Sequence, residues 1–209
     1  MNSLWGFLAP LIIIAGITFL HVVLPARWIK GYITRPGSDE KVIYRLNGLI
    51  VLAISAAIWF SLGNYGDLPY NWLYLHRWEG LAGACLLGLI FSAVVVFRYK
   101  PVRKNLLADI FLGRAENISL NRGRIDIKMW LYMVGAVLLE LNVLSFAAHQ
   151  NITFGELSSP GILIATLLLT WFVTEYMFFE RVHLYTYDIF AERVGFKLGW
   201  GCLVFYPFF

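Results

Sequence analysis

The chain has 209 residues, 59% of them hydrophobic and only 14% charged, with a formal net charge of +4. A soluble globule carries about a quarter charged residues, so this composition excludes one and offers no basis for a nucleic-acid partner. The length allows one domain, and aromatic residues at 17% suit a membrane protein with belts at the lipid–water boundary.

Apolar runs lie at 4–24, 46–63, 80–97, 129–148, 160–179 and 198–209. Each of the first five approaches the ~20 residues that cross a hydrocarbon core at 1.5 Å per residue. The predicted fold is therefore all-α: a polytopic transmembrane bundle with five full spans and a partial sixth. The first run has no positive n-region, and its flanking charges, Arg27 and Lys30, follow it. It is expected to remain as a helix rather than be removed as a signal peptide.

The segments between the runs alternate in charge. Residues 25–45 hold Arg27, Lys30, Arg35, Lys41 and Arg45, and residues 64–79 hold only Arg77. Residues 98–128 hold eight Lys and Arg, residues 149–159 none, and residues 180–197 Arg181, Arg193 and Lys197. Basic loops stay in the cytoplasm, so the N-terminus is expected outside or in a lumen. The eight cations of 98–128 serve that retention or attract a cofactor phosphate or anionic lipid headgroups. Cys85 and Cys202 both sit in apolar runs and make no disulfide framework or zinc site, and no metal is expected. Asn117-Ile-Ser119 and Asn151-Ile-Thr153 match the glycosylation pattern, but the first falls in a predicted cytoplasmic loop and the second hugs the membrane.

Several segments carry mixed, ordered residue patterns. The first loop has a turn-rich stretch around Pro36-Gly37 and then Tyr44-Arg-Leu-Asn-Gly-Leu49. The third loop has Asp109-Ile-Phe-Leu-Gly-Arg-Ala-Glu-Asn117 and Asp126-Ile-Lys128. Ser145-Phe-Ala-Ala-His-Gln150 ends the fourth run. The last stretch places Leu184, Thr186, Asp188, Ile189, Gly195, Phe196, Leu198, Trp200, Gly201, Pro207 and Phe208 in one ordered array. Together these resemble the sterol reductase family, which comprises the C14, Δ7 and C24(28) sterol double-bond reductases and the membrane domain of the lamin B receptor. The resemblance covers most of 25–209. It departs from the family at Cys202, where an Asp is usual, and at Ile118-Ser119, where Pro-Arg is usual.

The resemblance implies NADPH-dependent saturation of a sterol C=C bond of the Δ14 or Δ7 type. It also implies residence in the endoplasmic reticulum or inner nuclear membrane of a eukaryote, or the inner membrane of a bacterium. The family's cofactor motifs lie on C-terminal helices, and none occurs here; no G-x-G-x-x-G fingerprint stands in for them. The expectation is one membrane domain over 1–209, cut before the cofactor-binding helices, with the missing half, membrane lipids and a sterol as partners.

Alkene reduction needs a proton donor and an apolar, aromatic pocket in which cation–π contacts steady the positive charge between the two deliveries. If the fifth helix continues past residue 180, Tyr176, Glu180, His183 and Tyr187 recur at i, i+4, i+7 and i+11 and share one face. Glu175, Tyr176, Glu180 and Tyr187 are therefore the candidate catalytic groups, with an interfacial belt and ion pairs to Arg181 or Arg193 as the plainer alternative. Glu140 lies mid-run, where an acid costs about 2.5–3.5 kcal/mol, so it is expected to be neutral, paired or facing a cavity. Asp188 caps a helix or helps form a cofactor mouth. Trp200 is pocket wall or interface anchor, and Glu116 and Asn117 are substrate- or cofactor-facing by resemblance. Two other classes stay open: a non-catalytic sterol- or lipid-binding protein, and a small proton-coupled transporter using Glu140 and Glu175.

Overall fold

A computed structural model describes residues 3–34, 39–155 and 159–208. The predicted Pro36-Gly37 turn lies outside the described residues. Five helices are long and apolar enough to cross a membrane: α1 (Ser3–Val23), α2 (Gly48–Tyr65), α4 (Arg77–Arg98), α6 (Ile127–Phe154) and α7 (Pro160–Phe178). They fall on the five long apolar runs, and the all-α membrane bundle expected from sequence is the one observed.

Polar connections fill in between. β1 (Arg27–Thr34) and β2 (Lys41–Leu46) pair antiparallel, Arg27 opposite Leu46 and Thr34 opposite Lys41. Where the sequence predicts a turn-rich loop, the described residues on either side of the turn pair as a two-stranded ribbon. The short α3 (Trp72–Leu75) follows α2, and α5 (Leu106–Leu112) follows α4. β3 (Ser119–Leu120) and β4 (Ile125–Asp126) make a second small hairpin ahead of α6.

The predicted sixth run is broken. After α8 (Glu180–His183) and α9 (Tyr187–Phe190) come α10 (Phe196–Trp200), a π-helical turn over Gly201–Phe205, and α11 (Tyr206–Phe208). Single π turns inside helices often mark functional sites.

α6 is the central post. Leu131, Val134 and Val137 on it are fully buried, and they join Val51 of α2, Val173 of α7 and Val204 of the π turn in one core. The outer helix is α7, on which only Val173 and Met177 are buried. Small residues set the tightest crossings, as in other helix pairs within lipid. A Cβ on Gly83 of α4 would sit 2.0 Å from the backbone oxygen of Phe7 on α1. The Ser145–Gln150 stretch holds α3 against α6: Ser145 Oγ accepts from Tyr74 N at 3.0 Å, and the His149 ring stacks on Tyr74 at 4.2 Å.

Because the obstacle at Gly83 is backbone, it has no rotamer by which to escape. Gly83→Ala is expected to push α1 from α4 and cost about 1–3 kcal/mol, read as a lower thermal midpoint of the detergent-solubilised protein. An unchanged midpoint would contradict this packing.

Candidate functional site: a cavity between the last two spans

Two polar seams fix the walls of the site. The first joins α1, α2 and α8. Tyr44 lies flat over Gly31 of the facing strand, where a Cβ would come within 2.3 Å of its ring. That contact seats β2, and Asn47 follows at the head of α2. Its Nδ2 donates to the carbonyl of His21 at 3.1 Å, and its Oδ1 accepts from His21 Nδ1 at 2.6 Å. The next N–H, that of Gly48, donates to Glu180 Oε2 at 3.0 Å. A carboxyl thus meets one of the four N–H groups that a helix start leaves without a partner. Gly48 must be glycine for this approach, since a Cβ would lie 2.5 Å from Met177 Sδ and 3.2 Å from Glu180 Oε1. Burial pushes the Glu180 carboxyl up to about 7, against the opposing pull of the Gly48 N–H.

The second seam fastens the third loop to the final segment. Asn105 caps α5 through the N–H groups of Leu107 and Ala108. Asp109 is fully buried. It accepts from Arg114 Nε at 2.6 Å and from the N–H groups of Val102 and Arg103 at 3.1 and 3.0 Å. Burial alone would raise its carboxyl; those donors hold it below the ordinary range instead. Gly113 turns with φ +88°, a region favouring glycine, and lies directly against Gly195. Ala115 and Val194 then pair as a short bridge, and Arg193 donates to the Arg114 carbonyl and pairs with Glu116. Lys128 at the start of α6 is buried and donates from Nζ to the carbonyl of Ile189 at 2.6 Å, which anchors α9.

Between these seams, α6, α7 and the segments after α7 enclose a cavity of about 300 Å³. Its aromatic and polar lining is Tyr132, Phe172, Tyr176, His183, Thr186, Asp188 and Tyr206; Gly135, Ala136, Leu139, Val173 and Cys202 supply apolar surface. The His183 ring lies 3.8 Å from that of Tyr176, and its Nε2 is 3.0 Å from the Tyr176 carbonyl. A carbonyl can only accept, so Nε2 carries the proton of the ring. Burial lowers the His183 pKa, favouring the neutral imidazole. Tyr132 and Tyr176 face each other with centroids 6.4 Å apart. Three phenols, an imidazole and a carboxylate around an apolar hollow can deliver a proton to a hydrocarbon held there.

The sequence candidates separate. Tyr176 and Asp188 line the cavity. Glu180 does not: it is buried at the head of α2. The expected single-faced stripe fails because α7 ends at Phe178, and α8 and α9 are separate short helices. That break carries Tyr187 out to 65% exposure, edge-on to Phe190 and away from the cavity. Glu175 is exposed on the outer face of α7. Glu140 is buried and accepts from Thr170 Oγ1 at 2.9 Å, while its Oε2 has no partner among the described residues. Glu116 serves the Arg193 pair, and Asn117 keeps a buried Oδ1 without a partner among the described residues. Trp200 stacks on Phe196 at 5.0 Å and abuts Gly88, outside the cavity. Tyr132 and Tyr206 were missed. Tyr132, Gly135, Ala136 and Leu139 are spaced i, i+3, i+4 and i+7, so helical periodicity around Tyr132 was a signal that could have found that wall. Among the described residues no group of three His, Cys, Asp or Glu is placed to hold a metal. The cavity lining has no Lys or Arg, so these residues do not fit the phosphates of a nicotinamide dinucleotide.

An acid whose folded pKa lies above its free value stabilises the fold while protonated. The Glu180 contribution is therefore full below about 4.5 and is lost as pH rises through about 7. The thermal midpoint in detergent is expected to fall across that window, by a free energy of about 3 kcal/mol in total. Glu180→Gln should flatten the slope while keeping an acceptor for Gly48; an unchanged slope would place the titration elsewhere.

The chain is 27% identical to a Delta(14)-sterol reductase of Methylotuvimicrobium alcaliphilum over 200 residues, covering 92% of this chain and 46% of the relative. It is 25% identical to a 7-dehydrocholesterol reductase of Arabidopsis thaliana, covering 90% and 45%. It is 29% identical to the Delta(14)-sterol reductase ERG24B of Gibberella zeae, covering 90% and 44%. The chain thus spans about half the length of the curated relatives it matches. Residues 3–209 match the ergosterol biosynthesis ERG4/ERG24 family, and the chain belongs to that family.

Proposed function

We propose that this chain forms the proton-donating wall of a membrane sterol C=C reductase of the Δ14 or Δ7 type. The observation that carries the reading is the cavity lined by Tyr132, Tyr176, His183 and Asp188 in a chain whose relatives bear the names of sterol reductases. NADPH supplies the hydride in such chemistry. The absence of Lys and Arg from the lining supports assigning its phosphates to helices equivalent to the unmatched half of the relatives. The nearly bare outer face of α7, with Glu175 on it, is where those helices pack in this reading. The basic end of the bundle, with the β1–β2 hairpin and the third loop, is assigned to the cytoplasm, and the N-terminus to the opposite side.

Within the cavity Tyr176 is the assigned donor. The tilted His183 ring packs against its ring, and Asp188 lines the same cavity. A phenol needs no pKa shift to hold its proton at neutral pH. Its rigid ring also offers a π face to a developing cation. Cys202, standing where the family has Asp, favours a second reading: sterol binding without turnover.

A chimera decides between the two. Residues 3–209 would replace the matching half of the Methylotuvimicrobium reductase, with saturated product from Δ14 and Δ7 sterols as the readout. Product is expected, and Tyr176→Phe should lower kcat by about 10²–10⁴-fold, while Tyr187→Phe, outside the cavity, leaves it unchanged. A folded chimera that binds sterol without turnover would support the second reading. Robust turnover by residues 1–209 alone would refute the need for a cofactor half.

A further inference from the structure

α4 runs 22 residues, from Arg77 to Arg98, about 33 Å at the helical rise and close to the thickness of a hydrocarbon core. Its outward stripe, Leu86, Ile90, Val94 and Phe97, is exposed throughout and ends on Phe97 at 85%. The last turn of α4 therefore stands at the edge of the lipid. α5 is fastened to that turn. Arg114 joins Asp109 of α5 to the carbonyls of Val96 and Tyr99.

Asp109 is fully buried, and around it Leu106, Leu107 and Phe111 are exposed, Leu107 at 78%. Phe111 also meets Phe196 of α10, with ring centroids 6.3 Å apart. A shallow cleft there is lined by Leu107, Ala108, Ile110, Phe111 and Phe196, without a polar residue. A contiguous apolar surface of this kind is seldom left to water. Its surroundings are basic: residues 97–108 contain Arg98, Lys100, Arg103 and Lys104 and no acid. Arg103, like Arg114 and Lys128, bonds within the protein. Arg98, Lys100 and Lys104 are exposed and hold no ion pair among the described residues. Topological retention accounts for these cations but not for the leucines beside them.

We propose that α5 lies in the headgroup region at the basic end of the bundle and seats anionic phospholipid there. An acyl chain packs along Leu107, Phe111 and Phe196, and the phosphate lies among Arg98, Lys100 and Lys104. An apolar face at the lipid boundary binds through its buried area and, where cations flank it, through attraction to anionic lipid. Phosphatidylcholine offers the same acyl chains but cancels its phosphate with choline, so three unpaired cations select for net negative charge. A soluble anion has nothing to place on Leu107 and Phe111. This surface is separate from the cavity between α6 and α7 and does not rest on the reductase reading, because lipid occupancy needs no turnover.

The test places the full chain in nanodiscs of mixed phosphatidylcholine and phosphatidylglycerol, with an acyl-chain diazirine on one lipid or the other, and maps the labelled peptides. The phosphatidylglycerol probe is expected to label α5 and α10 about fivefold more than the phosphatidylcholine probe, or better, since a single cation near an anionic surface is worth about that factor. Lys100→Gln together with Lys104→Gln should remove most of the excess, and ~0.5 M salt should shrink it. Lys30→Gln, on the exposed side of β1, should leave it in place. Equal labelling by the two probes would overturn the proposal by showing ordinary boundary lipid. So would an excess that survives the double substitution. Absence of α5 labelling by either probe would overturn it by showing that water or protein covers this face.

Discussion

No water reaches the inside of an apolar helical bundle, so each helix end and polar side chain within it must find its partner in the protein. The start of α2 shows how far this constraint reaches. Asn47 is tied to His21 on α1, and the next N–H, that of Gly48, is tied to Glu180, 132 positions along the chain. One helix end thereby positions the first span, the second span and the segment after the fifth. With Glu180 and Met177 held against Gly48, α7 cannot slide along α2, and the wall bearing Tyr176 is set.

The same constraint explains the third loop. Arg114 is spent on Asp109 and on the carbonyls of Val96 and Tyr99, which closes the end of α4. The loop is then rigid enough for Gly113 to press against Gly195 and for Ala115 to pair with Val194. Lys128 gives its charge to the Ile189 carbonyl and fixes α9, and α9 presents Asp188 to the cavity. Of the two loop residues expected to face substrate or cofactor, Glu116 pairs with Arg193, while Asp109, Arg114 and Lys128 fasten the loop and the final segments beside the cavity.

The bundle also has a pronounced asymmetry. α6 is packed on most sides, whereas α7 offers nearly its whole outer surface and carries Glu175 there. An acid on a lipid-facing surface is costly, and intramembrane acids commonly face other protein or a cavity.

Much of the fold was legible in the sequence, because hydrophobic length and charge alternation act residue by residue. The five spans and the family patterns are local quantities. Tyr176 and Asp188 were also legible, one as a polar group on an apolar helix and the other as part of an ordered array. Other features were decided only by tertiary structure. Helical spacing placed Glu180 and Tyr187 on one face with Tyr176, but α7 stops at Phe178, and Glu180 is drawn to the head of α2. Nothing in the sequence near residue 180 announces a partner at Gly48. The roles of Glu116, Trp200 and Tyr132 likewise depend on which segment lies opposite, and that is set by contacts between residues far apart in the chain.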